Sequence, residues 1–441
     1  MPASRHRARR GRLASVPARA AVAALAAHAL AAQQVIVVDA AGGPGSDYAD
    51  LDAAIAAANA GDFLLLRAGE YFPAAAITNR FRVNKSLLLH GEAEAEVKLR
   101  GALWVEDIAA SGWFTLRGVD VAQQLAPFLA FDDLSIEDCA GPVRIEDAEI
   151  GPGTPFNKLL GSSVARSTDV ALARVALSLG LPGLHPAPLF GLVALEWHES
   201  RGSLHDTSIE SFTATSTTTA GAPGGDGVSV SGTSSTLKSR LFVGGSIVAA
   251  SDGSDGSADA SGCGAGGNGG CAIQVLGNQA QLRTLDSTFI AGAGGAAVAP
   301  CVPGEPGLPV ELAVGQHAAH PGVARSLAAS SPIREGQPLV LDAAGLGGDL
   351  VILAYSPNGG YAELHSAIGP LLLAPPLSTF ALPALPGAPA APAARTYASP
   401  TQDLGAGVEG ALLRFQAVFV QPSGDVFLSN ESDVLLLDAS L

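Results

Sequence analysis

The sequence predicts an all-β chain: a right-handed parallel β-helix with an N-terminal capping helix, followed by a small C-terminal β-sandwich-like domain. Three observations carry this expectation. A short phrase of alternating apolar residues recurs at the spacing of a solenoid. The residues ahead of the first copy read as strand, short amphipathic helix and strand. Finally, 53 Gly and 29 Pro in 441 residues supply many turns, while long Glu-, Lys- and Leu-rich helical stretches are missing.

The phrase is Thr115-Leu116-Arg117-Gly118-Val119-Asp120-Val121. It returns as Arg144-Ile145-Glu146-Asp147-Ala148-Glu149-Ile150, as Ala171-Leu172-Ala173-Arg174-Val175-Ala176-Leu177 and as Ser203-Leu204-His205-Asp206-Thr207-Ser208-Ile209. A further copy is read at Leu237, a degraded one at Leu88-Leu89-His90-Gly91, and a last one at Thr284 to Ile290. The anchors Leu89, Leu116, Ile145, Leu172, Leu204 and Leu237 are 27, 29, 27, 32 and 33 residues apart. One coil of that length holds three short strands and three turns, whereas hairpins of a sandwich recur every 8 to 12 residues or so. The pattern within each copy is a strand, a sharp turn at a small or polar pair, and a second strand.

The solenoid is expected over residues 35–299. Ahead of its first repeat, Val35-Ile36-Val37-Val38-Asp39, a glycine turn, Asp47 to Ala58 and Gly61 to Tyr71 follow one another. Asp47 is the expected N-cap, and Leu51, Ile55 and Ala58 share one helix face suited to covering an open solenoid end. This opening resembles that of the pectate-lyase-like right-handed β-helix superfamily. The resemblance implies the fold, and it implies an exported protein of a class often used on polysaccharides.

Before residue 35, six arginines (Arg5, Arg7, Arg9, Arg10, Arg12, Arg19) precede the apolar run Ala20 to Leu30 and the small-residue pattern Ala29-Leu30-Ala31. Residues 1–31 therefore read as a cleavable export signal, too short in apolar length for a span of about 20 residues. A secreted or cell-surface location is expected. Lys plus Arg number 25 against 41 Asp plus Glu, and losing those six arginines leaves 19 against 41. So acidic a chain is a poor partner for nucleic acid or an anionic membrane, and no later segment has the makings of a membrane span.

Four cysteines remain: Cys139, Cys263, Cys271 and Cys301. Export favours disulfides, with Cys263 and Cys271 paired across a Gly-rich loop and Cys139 with Cys301 only if the fold joins them. That loop, beginning Ser251-Asp252-Gly253-Ser254-Asp255-Gly256, reads as a flexible excursion, with Ca²⁺ binding as the alternative. Residues 300–325 read as a linker. Residues 326–441 form the C-terminal domain, with strands at Pro338 to Leu341, Leu350 to Ala354, Ala411 to Val420 and Val434 to Leu437 and an Ala/Pro-rich loop from Ala374 to Pro400.

Chemistry is sought in columns, because a solenoid stacks equivalent positions of successive coils. Two residues after the anchor stand Gly118, Asp147, Arg174, Asp206 and Ser239, and one residue after it stand Arg117, Glu146, Ala173, His205 and Lys238. Asp147, Arg174 and Asp206, with His205 beside them, are the candidate catalytic residues. The alternative is an ion-pair ladder. His198 and His205 otherwise read as solvated surface histidines. Asp132, Asp133, Glu137 and Asp138 are the candidate metal ligands, Ca²⁺ being the ion that oxygen donors suit, against the alternative of a solvated acidic turn. Polygalacturonase motifs, pectate-lyase Arg motifs, Gly-x-Ser-x-Gly, phosphate loops and His-Glu-x-x-His are all missing. The expected function is an extracellular or surface binding or structural protein, carbohydrate-related, whose partner is an extracellular polysaccharide or cell-surface component. The competing expectation is a polysaccharide lyase or glycoside hydrolase.

Overall fold

The computed structural model describes residues 33–74, 79–92, 95–122, 132–151, 161–178, 193–212, 220–233, 237–258, 263–400, 404–405 and 407–441. The expected export signal lies outside them. The described chain is nearly all β, built on long parallel sheets consistent with a parallel β-solenoid. The first sheet runs Val35–Val38, Phe63–Leu66, Leu87–Gly91, Phe114–Arg117, Val143–Ile150, Val170–Ser178, Arg201–His205, Ser239–Gly244, Ala280–Leu285 and Gln316–His320, each strand parallel to the next. The second runs Arg80–Val83, Ala102–Glu106, Leu134–Glu137, Ser162–Ala165, Val193–His198, Asp226–Ser231, Ile273–Leu276 and Val310–Leu312, also parallel throughout.

In-register stacking is what turns the repeat into a core. Leu89, Leu116, Ile145, Leu172 and Leu204 pair in sequence along the first sheet, and all are fully buried. Each such side chain contributes about 1.5–3 kcal/mol, so one column outweighs any single surface ion pair. After Leu204 the column continues to Val243, not Leu237, and then to Thr284. The coil between Leu204 and Val243 is longer than its predecessors, so a period near 30 stops six residues short.

The helix is Leu51–Ala57, with Leu51, Ala54 and Ile55 packed into the solenoid core. Its N-cap is Asp50, whose Oδ1 accepts from Ala53 N at 2.8 Å. Asp47, expected in that role, instead accepts from Val37 N at 2.8 Å and ties the preceding turn to the first strand.

The Gly-rich stretch is not a loose excursion. Segments 220–226, 250–258, 263–271, 291–298 and 302–308 lie side by side, bonded at every third residue: Gly253 N to Ala293 O and Gly256 N to Ala296 O, both 2.8 Å; Gly267 N to Ser254 O and Gly270 N to Ser251 O, both 2.9 Å; Gly269 N to Glu305 O, 2.8 Å. A three-residue repeat of bonds is that of an extended helix with three residues per turn. Close approach explains the glycines, since a Cβ on Gly267 would lie 1.9 Å from Ala222 O and one on Gly270 2.1 Å from Gly225 O. Asp252 and Asp255 accept from Ala293 N and Ala296 N at 2.6 Å, so their carboxylates serve the bundle itself.

The disulfide joins Cys263 to Cys301, not to Cys271. These cysteines are 38 residues apart, roughly one coil, so they fall on neighbouring segments of the bundle. Cys139 and Cys271 are free and buried. The stretch expected as a linker carries two more ladder strands, Val310–Leu312 and Gln316–His320, so the parallel sheets continue past residue 299.

Beyond them, Ser326–Ala329, Pro338–Leu346 and Pro392–Pro400 form an antiparallel sheet. Ile333–Arg334, Val426–Leu437, Gly410–Val420, Leu350–Ser356 and Ser378–Ala381 form another, antiparallel except where Ile333–Arg334 runs parallel to Val426–Leu437. Leu327 and Leu341 of one share a core with Leu353, Phe415, Phe419 and Val434 of the other. The supposed loop from Ala374 to Pro400 therefore contains two strands. Leu412, Leu435 and Leu437 also pack on Val35, Phe63, Leu65 and Leu88, which attaches this unit to the solenoid.

Candidate functional site

From Leu116 onward, the turn that follows each first-sheet anchor holds one residue in the left-handed region. These are Gly118 (φ 62), Asp147 (φ 52), Arg174 (φ 54), Asp206 (φ 49), Gly245 (φ 61) and Asp286 (φ 50). Gly and Asp suit such a position, whereas Arg174 is there at a steric cost. Gly245 and Gly244 thus occupy the columns expected for Ser239 and Lys238, for the reason that moves the anchor to Val243.

Asp147, Arg174 and Asp206 do occupy neighbouring coils, but their surroundings are those of a junction. Arg174 Nε donates to Asp147 Oδ1 at 2.5 Å, and its Nη2 to Glu146 Oε2 at 3.0 Å. Arg117 Nε lies 3.0 Å from Asp147 Oδ2. The outer side of this network meets the C-terminal strand Val426–Leu437. Glu146 Oε1 accepts from Asp433 N at 3.0 Å, Thr115 Oγ1 donates to Asp433 Oδ2 at 2.8 Å, and Arg174 Nη1 donates to Leu327 O at 3.1 Å. Two residues before Glu146 on the same strand, Arg144 binds Asp169 at 2.7 Å and also Glu431, while Arg414 lies 3.0 Å from Asp433. Arg117, Arg144, Glu146, Arg414, Glu431 and Asp433 are all buried.

Burial sets the protonation of this seam. It pushes Glu146 up to about 7 against the pull of Arg117, and Glu431 up to about 8 against Arg144. Burial also raises Asp147, but the Arg174 hydrogen bond and the Arg117 charge bring it below the usual carboxylate range. Desolvation by its neighbours raises Asp206 to about 6, with the Arg174 charge opposing and that of Asp286 adding to the rise.

His205 corrects the expectation of a solvated histidine. It is buried, its ring centroid is 5.3 Å from that of Phe242, and its Nε2 has no hydrogen-bond partner among the described residues. Burial, then the Arg174 charge, lowers its pKa to about 3, so it stays neutral near pH 7. His198 is on the second sheet, with Nδ1 2.9 Å from Ser231 Oγ, so the two histidines do not form a pair.

The outer face of the second sheet is different: among the described residues, no strand of the C-terminal sheets is paired with it. Its register lines up Arg82, Trp104, Ser135, Ser163, Glu196, Ser229, Gln274 and Glu311, one per coil. Ser135 Oγ donates to Glu137 Oε1 at 2.8 Å and lies 3.1 Å from Ser163 Oγ. The four candidate metal ligands are on this side, yet they are divided. Asp138 makes a two-point pair with Arg166 at 2.7 and 2.8 Å, and Glu137 lies 3.5 Å from the same guanidinium. Asp133 is buried at the strand entrance. Asp132 is pushed up to about 6 by burial, its Ser163 hydrogen bond lowering it and Glu196, Asp133 and Glu137 raising it further. Among the described residues, no group of three or more His, Cys, Asp and Glu side chains converges as metal ligands would.

Sequence reasoning passed over Arg144, Glu431, Asp433 and Arg414. A signal was present. Ser429-Asn430-Glu431-Ser432-Asp433 interrupts an apolar strand, and five consecutive polar residues between Leu428 and Val434 belong against a polar partner rather than in a core.

Neither known family models nor curated proteins contain a match to this chain. Among the described residues, no helix is long and apolar enough to cross a membrane.

Proposed function

We propose that this chain is an exported right-handed parallel β-helix of the pectate-lyase-like superfamily, acting outside the cell or at its surface as a non-catalytic binding or structural protein. Its ligand is a carbohydrate held on the open face of the second sheet. In this reading helix Leu51–Ala57 caps the solenoid and the C-terminal sheets are a β-sandwich-like domain. The observation that carries it is that the charges of the candidate column are engaged in the junction. Arg117 and Glu146 are buried and bound to each other and to Asp433, Glu146 also binds Arg174, and Arg174 bonds Asp147 and Leu327 O of Ser326–Ala329. The second sheet, by contrast, offers hydroxyl, carboxylate and carboxamide groups repeating at the strand spacing of about 4.8 Å. Such a row suits the repeated hydroxyls of an extended glycan.

One observation favours a second reading as a glycoside hydrolase or lyase. The Asp132 carboxyl is pushed up to about 6 by burial, with the charges of Glu196 and Glu137 adding to the rise, and a carboxyl group with a raised pKa beside other carboxylates is what acid–base cleavage uses. A panel of extracellular glycans, with and without Ca²⁺, tests both. Binding that is lost in Ser163→Ala and Glu196→Ala, with no new reducing or unsaturated ends, is the expected result. New ends that vanish in Asp132→Asn would replace the binder with the enzyme. No binding to any glycan would overturn the carbohydrate assignment.

A further inference from the structure

The two ends of the solenoid are finished differently. At the N-terminal end the edge strand Val35–Val38 has its backbone taken up: Asp47 N donates to Val37 O and Val37 N to Asp47 Oδ2, both at 2.8 Å, and Val35 N donates to Glu409 Oε2 at 3.0 Å. Helix Leu51–Ala57 packs its apolar face into the core there. At the other end, Val310–Leu312 and Gln316–His320 are the last strands of their sheets, and among the described residues no strand pairs with their outer edges.

The core runs out at this second end without a cover. Val230, Val275 and Leu312 form one inward column, in which the first two are fully buried and Leu312 is 49% exposed. Val302 (71%), Leu308 (52%) and Val314 (66%) are on the same coil, so it holds four of the ten large apolar side chains exposed among the described residues. A terminal repeat normally carries a polar outer face, because it has no neighbour to bury it. After His320 the chain leads away from this end: Ala324 N donates to Asp286 Oδ2 at 3.0 Å, and Leu327 O accepts from Arg174 at 3.1 Å, back along earlier coils.

We infer that this end is the interface of a two-fold dimer, in which a second copy of this chain lays its own last coil against the first. Unpaired N–H and C=O groups on a strand edge call for another strand, and three features make that strand the chain's own. In antiparallel pairing about Ala318, Ala318 faces itself, His317 faces Ala319 and Gln316 faces His320, so no carboxylates oppose each other in a chain with 41 acidic and 25 basic residues. Burial holds both histidines below their ordinary pKa, which keeps this edge uncharged near pH 7. The coil from Val302 to His320 supplies 19 residues, close to the roughly 20 to 30 a side of a stable interface. With the N-terminal edge closed, the contact cannot propagate head to tail, and a pair completes the assembly. The dimer does not depend on a carbohydrate being the ligand.

Sedimentation of the full chain at micromolar concentration is expected to give twice the chain mass, and amide exchange at 316–320 should slow as the dimer forms. Leu312→Lys puts a charge where the core column ends, and Ala318→Lys sets like charges opposite each other on the axis. Each should weaken association by about tenfold or more. Leu350→Lys, at an exposed apolar side chain of the C-terminal sheets, should leave it unchanged. Melting temperatures, compared at dilutions where the parent is monomeric, check folding, since association itself raises them. Ala318→Lys is the safer variant, its side chain being exposed on an edge strand. A parent that stays monomeric overturns the dimer. So does association unchanged in both edge variants, or weakened as much by Leu350→Lys. Oligomers beyond two chains, or exchange at 316–320 that is the same in monomer and dimer, overturn the two-fold edge pairing.

Discussion

The solenoid has two polar faces, and they put the same residue types to opposite use. On the first sheet Arg117, Arg144 and Glu146 are sealed beneath the Val426–Leu437 strand, with Arg174 half-buried beside them and nearly every charge facing a partner. On the second sheet Arg166, Asp138, Glu137 and Glu196 face solvent in a looser row. The difference shows that a column of charge has no function until its covering is known. Buried, it fixes the register of one unit on another; open, it remains available to a ligand.

The sharpest way to break this contrast is Arg144→Ala. Truncation leaves Asp169 buried without the Arg144 guanidinium and Glu431 with only the more distant Arg414, at 3.4 Å. The expected cost is about 3–5 kcal/mol, read as a lower denaturation midpoint and as easier proteolysis of the C-terminal sheets. A change under about 1 kcal/mol, the level of a surface pair, would mean that the seam is not closed in solution.

Next in size is the alkaline response. Glu431 has a folded pKa raised to about 8, so the stability linked to its protonated form is complete below its ordinary value near 4.5 and is lost as pH rises toward 8. Glu146, raised to about 7, acts in the same direction. Melting temperature should therefore fall between pH 6.5 and 8, and Glu431→Gln should flatten that fall. The effect is bounded at about 1.4 kcal/mol per pH unit for each proton involved. A parent curve that is flat across this window would refute the assignment.

The acid response has the opposite sign. His205 is held neutral with its pKa lowered to about 3, so its contribution is complete above its ordinary value near 6.5 and is lost as pH falls toward 3. His90, wedged between Gly91 O and Ser331 Oγ at 2.6 Å each, is lowered to about 3 as well. His205→Leu should reduce the loss of melting temperature between pH 4.5 and 3, where the raised junction carboxylates are already protonated. If His205→Leu traces the parent curve, His205 does not drive the acid arm.

The smallest effect completes the comparison. Arg166→Ala breaks an exposed pair with Asp138 and should cost less than about 1 kcal/mol, decreasing further in high salt. A loss comparable to that of Arg144→Ala would show that the second face too is covered.

Much of this fold was legible before any coordinates. The anchors from Leu89 to Leu204 were readable because each coil repeats a local alternation whose inward side chains must stack on their equivalents. The reading slipped at Leu237 because a longer coil breaks the period without breaking the ladder. The Gly-rich stretch was misread because glycine at every third residue resembles a flexible loop until neighbouring segments are seen to approach within Cβ distance. The candidate site was half legible: the order Asp147, Arg174, Asp206 follows from the repeat, but the burial of the neighbouring Arg117, Arg144 and Glu146 depends on Glu431 to Asp433, far away in sequence.

By itself, then, the sequence determined the parallel ladder, the helix ahead of it and the strands behind, because hydrophobic periodicity and turn chemistry act over a few residues. Tertiary structure alone decided which cysteine meets Cys263, which glycines touch, and which polar face is closed. Each of those outcomes depends on bringing distant segments within a few ångströms, and no local pattern encodes which segments those are.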